Sequence, residues 1–207
     1  QQISNSYPNA NFKLDKLSFS LPYGAILGFV GENGAGKTTT IGCILNTVRK
    51  DSGMVKLFGK EMRDIDTDIR EKIGVVYDGD NFPGFWTAKQ LSQVMEGIYT
   101  QWDNALFQKY LEDFHLPVKQ KIKNYSRGMT MKLAIAVALS HHPQLLILDE
   151  ATSGLDPIMR DEMLDVFLEF VQEESHSILL SSHITSDLEK VADYITFIHN
   201  GKLIMTA

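Results

Sequence analysis

The stretch Gly31-Glu-Asn-Gly-Ala-Gly-Lys37-Thr38 constrains the fold of this chain more than any other. It follows the apolar run Ala25-Ile-Leu-Gly-Phe-Val30 and opens a stretch of helical character reaching to about Val48. The spacing G-x-x-x-x-G-K-[ST] therefore sits in the order strand, loop, helix, which is the order a phosphate cradle requires. Its glycines let successive backbone N–H groups and a helix N-terminus point inward at β- and γ-phosphates. Lys37 adds a point charge, and the Thr38 hydroxyl offers a ligand for Mg²⁺.

The rest of the chain supplies elements that fit around such a loop. Met54 to Phe58, Ile73 to Tyr77, Leu145 to Leu148 and Ser177 to Ser181 are predicted strands, and a hairpin is predicted across Asn200-Gly201. Arg63 to Lys72 is charged and expected to be solvated. From Asn81 to Ser140 the pattern is helical, with Leu106, Tyr110 and Phe114 at i, i+4 and i+8 behind a capping Asp103. A further helix starts at Asp156 as N-cap with Pro157 first, and Met163, Phe167 and Phe170 line one face. Alternating strands and helices give an α/β chain with a parallel sheet covered on both faces.

Composition limits what the loop can serve. With 207 residues and 43% apolar content, the chain suits one compact domain or a domain carrying a subdomain. Against 20 Lys+Arg stand 26 Asp+Glu, a formal charge of -6 that argues against nucleic acid as a partner. The one cysteine, Cys43, excludes an internal disulfide framework and reads as a small core residue, which makes a reducing, cytoplasmic compartment the expectation. No apolar run reaches the roughly 20 residues that cross a bilayer, and no secretory pattern opens the chain. Any membrane role is expected to come through a partner.

Two further places carry chemistry. Leu145-Leu-Ile-Leu-Asp149-Glu150 is an apolar strand ending in two carboxylates. Beside a phosphate loop, the first can hold magnesium through water and the second can polarise the water that attacks the γ-phosphate. His183 follows the strand Ile178-Leu-Leu-Ser-Ser182, where a histidine can donate to the γ-phosphate.

Together these residues resemble the nucleotide-binding domain of ABC transporters, and the resemblance covers nearly the whole chain in family order. Ser153-Gly154-Leu155-Asp156 looks like the D-loop, and Ser181-Ser-His183 resembles the switch-histidine segment. Tyr7 stands where the family stacks an aromatic ring on adenine. The resemblance implies a P-loop NTPase core of RecA-like type with a parallel sheet, an antiparallel β portion and an inserted helical subdomain. Residues 1–80 and 141–207 would form the core and 81–140 the insertion. ATP and Mg²⁺ are the implied cofactors. Nucleotide contacts are implied for Tyr7, Gly31, Asn33, Gly34, Ala35, Gly36, Lys37, Thr38, Thr39 and Asp156, metal contacts for Thr38, Asp149 and Asp78, and catalysis for Glu150 and His183.

Two departures stand out. Tyr125-Ser126-Arg127-Gly128-Met129 occupies the place of the family's L-S-G-G-Q signature and keeps only its Ser and Gly. In the family this segment reaches the phosphates held by a second subunit, so Ser126, Arg127, Gly128 and Met129 join the implied contacts. Arg127 replaces a glycine and is either a cation near phosphate or a solvated side chain. Similar variants resemble bacterial exporters whose membrane subunits are separate chains. Asp78 stands where the family has a magnesium-sensing glutamine, which puts that role in doubt. Phe82, Phe85 and Trp86, just beyond it, either receive a helix of a membrane partner or pack the helical subdomain.

The resemblance implies two ATP-binding subunits, a homodimer with a heterodimer as the alternative, joined to a transmembrane permease and lying at the inner face of the cell membrane. A soluble ABC ATPase of ribosomes or chromosomes is the rival reading, but it would carry a second domain with a basic linker or a long coiled coil. A P-loop kinase, the other rival, would lack the Ser126–Gly128 segment and have no need of His183.

Overall fold

The computed structural model describes residues 1–6, 12–62, 67–79 and 81–206. Tyr7, the proposed adenine-stacking residue, lies outside them. In chain order the elements are β1 (Ile3–Ser6), β2 (Lys13–Leu17), β3 (Ile26–Val30), α1 (Lys37–Ile44), β4 (Lys56–Leu57), β5 (Lys60–Glu61), α2 (Thr67–Glu71) and β6 (Ile73–Val76). Then come α3 (Ala88–Ile98), α4 (Asn104–Asp113), a 3-10 turn (Ile122–Asn124), α5 (Arg127–Leu139), β7 (Leu145–Asp149), α6 (Pro157–Phe170), β8 (Ser177–Ser182), α7 (Thr185–Val191), β9 (Tyr194–His199) and β10 (Lys202–Thr206).

Among the described residues the main sheet has six strands in the order β10-β9-β3-β8-β7-β6. All neighbours run parallel except β10, which returns antiparallel to β9 through the Asn200-Gly201 turn, where both residues take positive φ. Because side chains alternate along a strand, the near-continuous apolar runs serve two cores. Ile26 and Val30 of β3, Leu146 and Leu148 of β7, and Ile178 and Leu180 of β8 face α5, α6 and α7, where Met163 and Phe167 are fully buried. Leu27, Phe29, Leu145, Ile147 and Leu179 face α1 and the small antiparallel pair β1-β2. Cys43 is buried in that second core.

A third apolar cluster belongs to the helical stretch, around Leu91, Phe107, Leu111 and Leu133. Asp103 caps α4 by accepting from the Leu106 N–H at 2.9 Å. The fully buried pair on α4 is Phe107 and Leu111; Leu106, Tyr110 and Phe114 of the expected stripe are half-buried beside them. Tyr110 and Phe114 touch both this cluster and the α5-side core, so they join the helical stretch to the sheet.

Three local expectations are corrected. Helix α1 ends at Ile44 rather than Val48, because Asn46 turns into the left-handed region at φ 57 and the N–H groups of Thr47 and Val48 fold back to the Gly42 carbonyl. The strand expected over Met54–Phe58 is reduced to β4, cut off by positive φ at Phe58 and Gly59. Within the stretch expected to be solvated, α2 forms and buries Ile69; Arg63 to Asp66 lie outside the described residues.

Candidate functional site

Parallel strands bring their C-terminal ends to one edge of the sheet, and the registers fix what emerges there. Val30 is level with Ser182, and Asp149 with Ser181. The loop 31–36, the Asp149-Glu150 pair and His183 therefore leave the sheet side by side. This edge is where ligands bind in open α/β sheets.

The loop after β3 closes on Gly36, the N-cap of α1, at φ 112 and ψ 13. A side chain there would be strained, and its Cβ would lie 2.8 Å from Leu14 and Phe12 atoms. Gly36 thus lets α1 begin immediately behind the loop, with its free N–H groups and positive dipole end facing outward. Asn33 and Gly34 are exposed on the loop's outer side, Ala35 is buried beneath it, Thr38 is exposed and Thr39 half-buried. Lys37 is almost fully buried, and its Nζ donates to the carbonyls of Gly31 at 2.6 Å and Glu32 at 3.2 Å.

Strand β7 delivers the carboxylates onto this loop. Buried Asp149 accepts from Thr38 Oγ1 at 2.7 Å through Oδ2 and from Ser181 Oγ at 2.6 Å through Oδ1. A threonine hydroxyl beside a carboxylate is a set of hard oxygen donors that fits Mg²⁺, which takes one or two carboxylates and completes its octahedron with phosphate and water. At Glu150 the backbone turns sharply to φ 55, a costly conformation for a non-glycine residue, held by its N–H donating to the Ser181 carbonyl at 3.1 Å and to Ser181 Oγ at 3.2 Å. The turn aims the side chain back at the loop. Its Oε1 lies 3.0 Å from Lys37 Nζ, an ion pair that lacks the direction of a hydrogen bond. Its Oε2 accepts from His183 Nδ1 at 2.7 Å. That bond places the proton on Nδ1 and turns Nε2 away from Glu150.

Glu150 is thus held between a lysine at the start of α1 and a histidine just beyond β8. The arrangement can orient a water for in-line attack while Lys37 and the helix end neutralise charge on a phosphoryl group. Beside it, Gly31, Asn33, His183, Phe197, His199 and Met205 line a cleft of about 590 Å³. A cavity of about 290 Å³ at the other end of the same strands, lined by residues such as Phe19, Leu21, Phe58 and Leu145, lies away from all of these groups.

The remaining sequence candidates lie in two places. Asp156 caps α6, accepting from the N–H groups of Ile158 and Met159 at 3.1 and 3.0 Å. Ser126 caps α5 by accepting from the Met129 N–H at 3.2 Å. Gly128 is buried against α6: a Cβ on it would come 2.5 Å from Met159 Sδ. Met129 packs on the helical cluster. Arg127 and Asp78 meet each other, Nη2 donating to Oδ1 at 2.8 Å. Of the aromatics beyond Asp78, Phe82 and Trp86 pack into apolar clusters, whereas Phe85 is 66% exposed and meets the Trp86 ring edge-on at 5.9 Å.

Reading the sequence assigned no role to Ser181, which braces both Asp149 and Glu150. Its signal was a serine following the apolar run Ile178-Leu-Leu on a buried strand. Also missed was a buried set behind the site, in which Asp187 accepts from Thr152 Oγ1 at 2.8 Å and lies 3.5 Å from Arg160 Nη1.

Comparison with known proteins agrees with this architecture. The model of the ABC transporter family matches residues 14–153. The chain is 37% identical over 196 residues to the bacitracin transport ATP-binding protein BcrA of Bacillus licheniformis, an alignment covering 92% of this chain and 63% of that protein. It is 33% identical over 210 residues to the lantibiotic transport ATP-binding protein SrtF of Streptococcus pyogenes, covering 99% and 88%. The chain thus spans less than two thirds of the length of BcrA. Among solved structures, an ATP-binding subunit of an ABC transporter aligns over 100% of this chain and 88% of its own, with a TM-score of 0.89 and 25% identity. A dimeric ATP-binding cassette in a post-hydrolysis state with ADP and Pi aligns over 100% and 96%, with a TM-score of 0.88 and 19% identity, and shares the fold. The fold is that of a P-loop NTPase, α/β with a mixed, mostly parallel sheet.

Proposed function

We propose, since this chain belongs to the ABC transporter family, that it is an ATP-binding subunit that binds and hydrolyses Mg-ATP between two copies to drive a partner permease. The observation that carries this reading is the convergence at one sheet edge of Lys37, Thr38, Asp149, Glu150 and His183, joined by contacts of 2.7 to 3.0 Å.

In this reading the N–H groups of the loop 31–36 and the N-terminus of α1 receive the β- and γ-phosphates, and Lys37 exchanges its carbonyl contacts for phosphate oxygens. Thr38 and Asp149 would hold Mg²⁺, which would supply positive charge against the charge developing on the phosphates. Glu150 polarises the attacking water, while His183 fixes the Glu150 carboxylate through Nδ1 and presents its other ring edge to the γ-phosphate. Ser126 to Met129 of the second copy, at the N-terminus of its α5, cover the phosphates from the far side. Asp156 orients the turn between them. Among the described residues no helix is long and apolar enough to cross a membrane. In this reading coupling runs through a partner permease at the inner membrane face. The relatives named for bacitracin and lantibiotic transport support a transport role, and the signature variant supports export. Two copies of this chain form the sandwich, with a second ATP-binding chain as the alternative partner.

A concentration series tests the two-copy claim. ATPase rate should rise more steeply than protein concentration, and light scattering should detect an ATP-dependent dimer. A rate strictly proportional to concentration, with the protein monomeric under saturating ATP, would contradict it.

A further inference from the structure

Asp78 and Arg127 depart from the family pattern; the mechanism above gives Asp78 no role and the Arg127 side chain only a place in the covering segment. They lie 49 positions apart in the chain, yet Arg127 Nη2 donates to Asp78 Oδ1 at 2.8 Å. Arg127 is the first residue of α5, where a cation opposes the positive end of the helix dipole. Asp78, in the loop leaving β6, sets a carboxylate against that end and reverses the sign. The same guanidinium lies against the turn after β7. A Cβ on Gly154, whose φ is 70, would come 2.5 Å from Arg127 Nη1 and 2.7 Å from its Cζ, so the missing side chain there is the space the guanidinium fills. One side chain thus touches the loops that leave two neighbouring strands of the catalytic edge, and it stands between Ser126 and Gly128.

We propose that the Arg127–Asp78 pair is a latch that fixes the start of α5 to the catalytic edge of the sheet. Arg127 is a positioning residue, with its guanidinium committed to Asp78 and to the Gly154 turn rather than to phosphate. Holding the first residue of α5 holds the orientation of the Ser126 hydroxyl and the first free N–H groups of the helix, the groups that the reading above aims at the other copy's phosphates. This inference rests on that reading for its catalytic consequence but not for the latch itself. Both side chains are about half exposed, 52% and 45%, so the pair adds little to global stability and its effect is on geometry.

The test is a double-mutant cycle on the full chain with Asp78→Asn, Arg127→Gln and the two combined. Two readouts are taken: kcat and KM for Mg-ATP, and amide exchange at Met129 and Thr130, whose N–H groups bond to Ser126. Each single change is expected to lower kcat about twofold to fivefold with KM held, the double variant matching the singles instead of multiplying them. Exchange at both amides is expected to quicken equally in all three variants. Multiplicative losses in kcat, a rise in KM confined to Arg127→Gln, or unchanged exchange would overturn the latch, the KM result returning Arg127 to phosphate binding. Exchange is read without nucleotide, so a parent protein that hydrolyses no ATP defeats the function proposed above while the latch is still decided by the amides.

Discussion

Removing the carboxylate of Asp187 should unsettle the turn that follows Glu150. Asp187 sits on α7, four residues beyond His183, and is 2% exposed. It accepts from the hydroxyl of fully buried Thr152 at 2.8 Å and lies 3.5 Å from Arg160 Nη1. Arg160 Nη2 donates to the Leu155 carbonyl at 3.2 Å, and its Nε is buried with no partner. The set ties residues 152–155 to the helix after His183. In Asp187→Ala the Thr152 hydroxyl loses its acceptor in a dry site, a loss of about 1–3 kcal/mol. The Arg160 side chain is 23% exposed and recovers some solvation, which keeps its share to about 1 kcal/mol. The sum is about 2–4 kcal/mol. Asp187→Asn keeps an acceptor and the shape, and should cost about half as much. Urea unfolding followed by tryptophan fluorescence measures both. An alanine variant within about 0.5 kcal/mol of the parent, or an asparagine variant less stable than the alanine one, would refute the reasoning.

Two other changes probe the loop and the helical stretch. Gly36→Ala forces φ 112 on a residue with a Cβ and presses it on Leu14 and Phe12, so nucleotide affinity should fall at least about tenfold by equilibrium titration, and unaltered affinity would contradict the loop geometry. His141 is buried and stacked on Tyr99 at 4.0 Å, its Nδ1–H donating to the Glu71 carbonyl at 3.0 Å. Burial holds its pKa below the ordinary 6.5, with positive charge on neighbouring His142 acting the same way more weakly. The unfolded chain therefore takes up a proton first as pH falls. Stability is complete above 6.5 and is lost as pH drops through 6.5 toward the depressed folded value. In His141→Gln, melting temperature should fall less steeply across that window, and an identical slope would contradict the assignment.

The sequence was legible where one residue type admits one use. Gly31 to Thr38 located a strand, a helix and the site edge together, because only glycine-rich backbone can make that turn. The apolar runs at Leu145 and Ile178 marked the buried parallel strands, and the pair Asp156-Pro157 marked the start of α6. Less legible were endings set by single backbone conformations. Asn46 and Phe58 take positive φ and stop α1 and β4, and no periodicity announces that. Contacts between distant segments were not legible either. Asp78 and Arg127 each looked like an isolated departure, and only the fold shows them sharing a bond. Ser181 and Asp187 carried a weak signal as polar residues at apolar positions, without indicating which carboxylate or hydroxyl they serve.

The central claim is that Glu150, held by Lys37 and His183, activates water at an ATP site built on Gly31 to Thr38. Glu150→Gln tests it most directly, with ATP binding measured by titration and turnover by phosphate release. The expected result is binding within about threefold of the parent and turnover lowered at least about 100-fold, the scale of a lost general base. Turnover within about tenfold of the parent, with binding intact, would take Glu150 out of the chemistry.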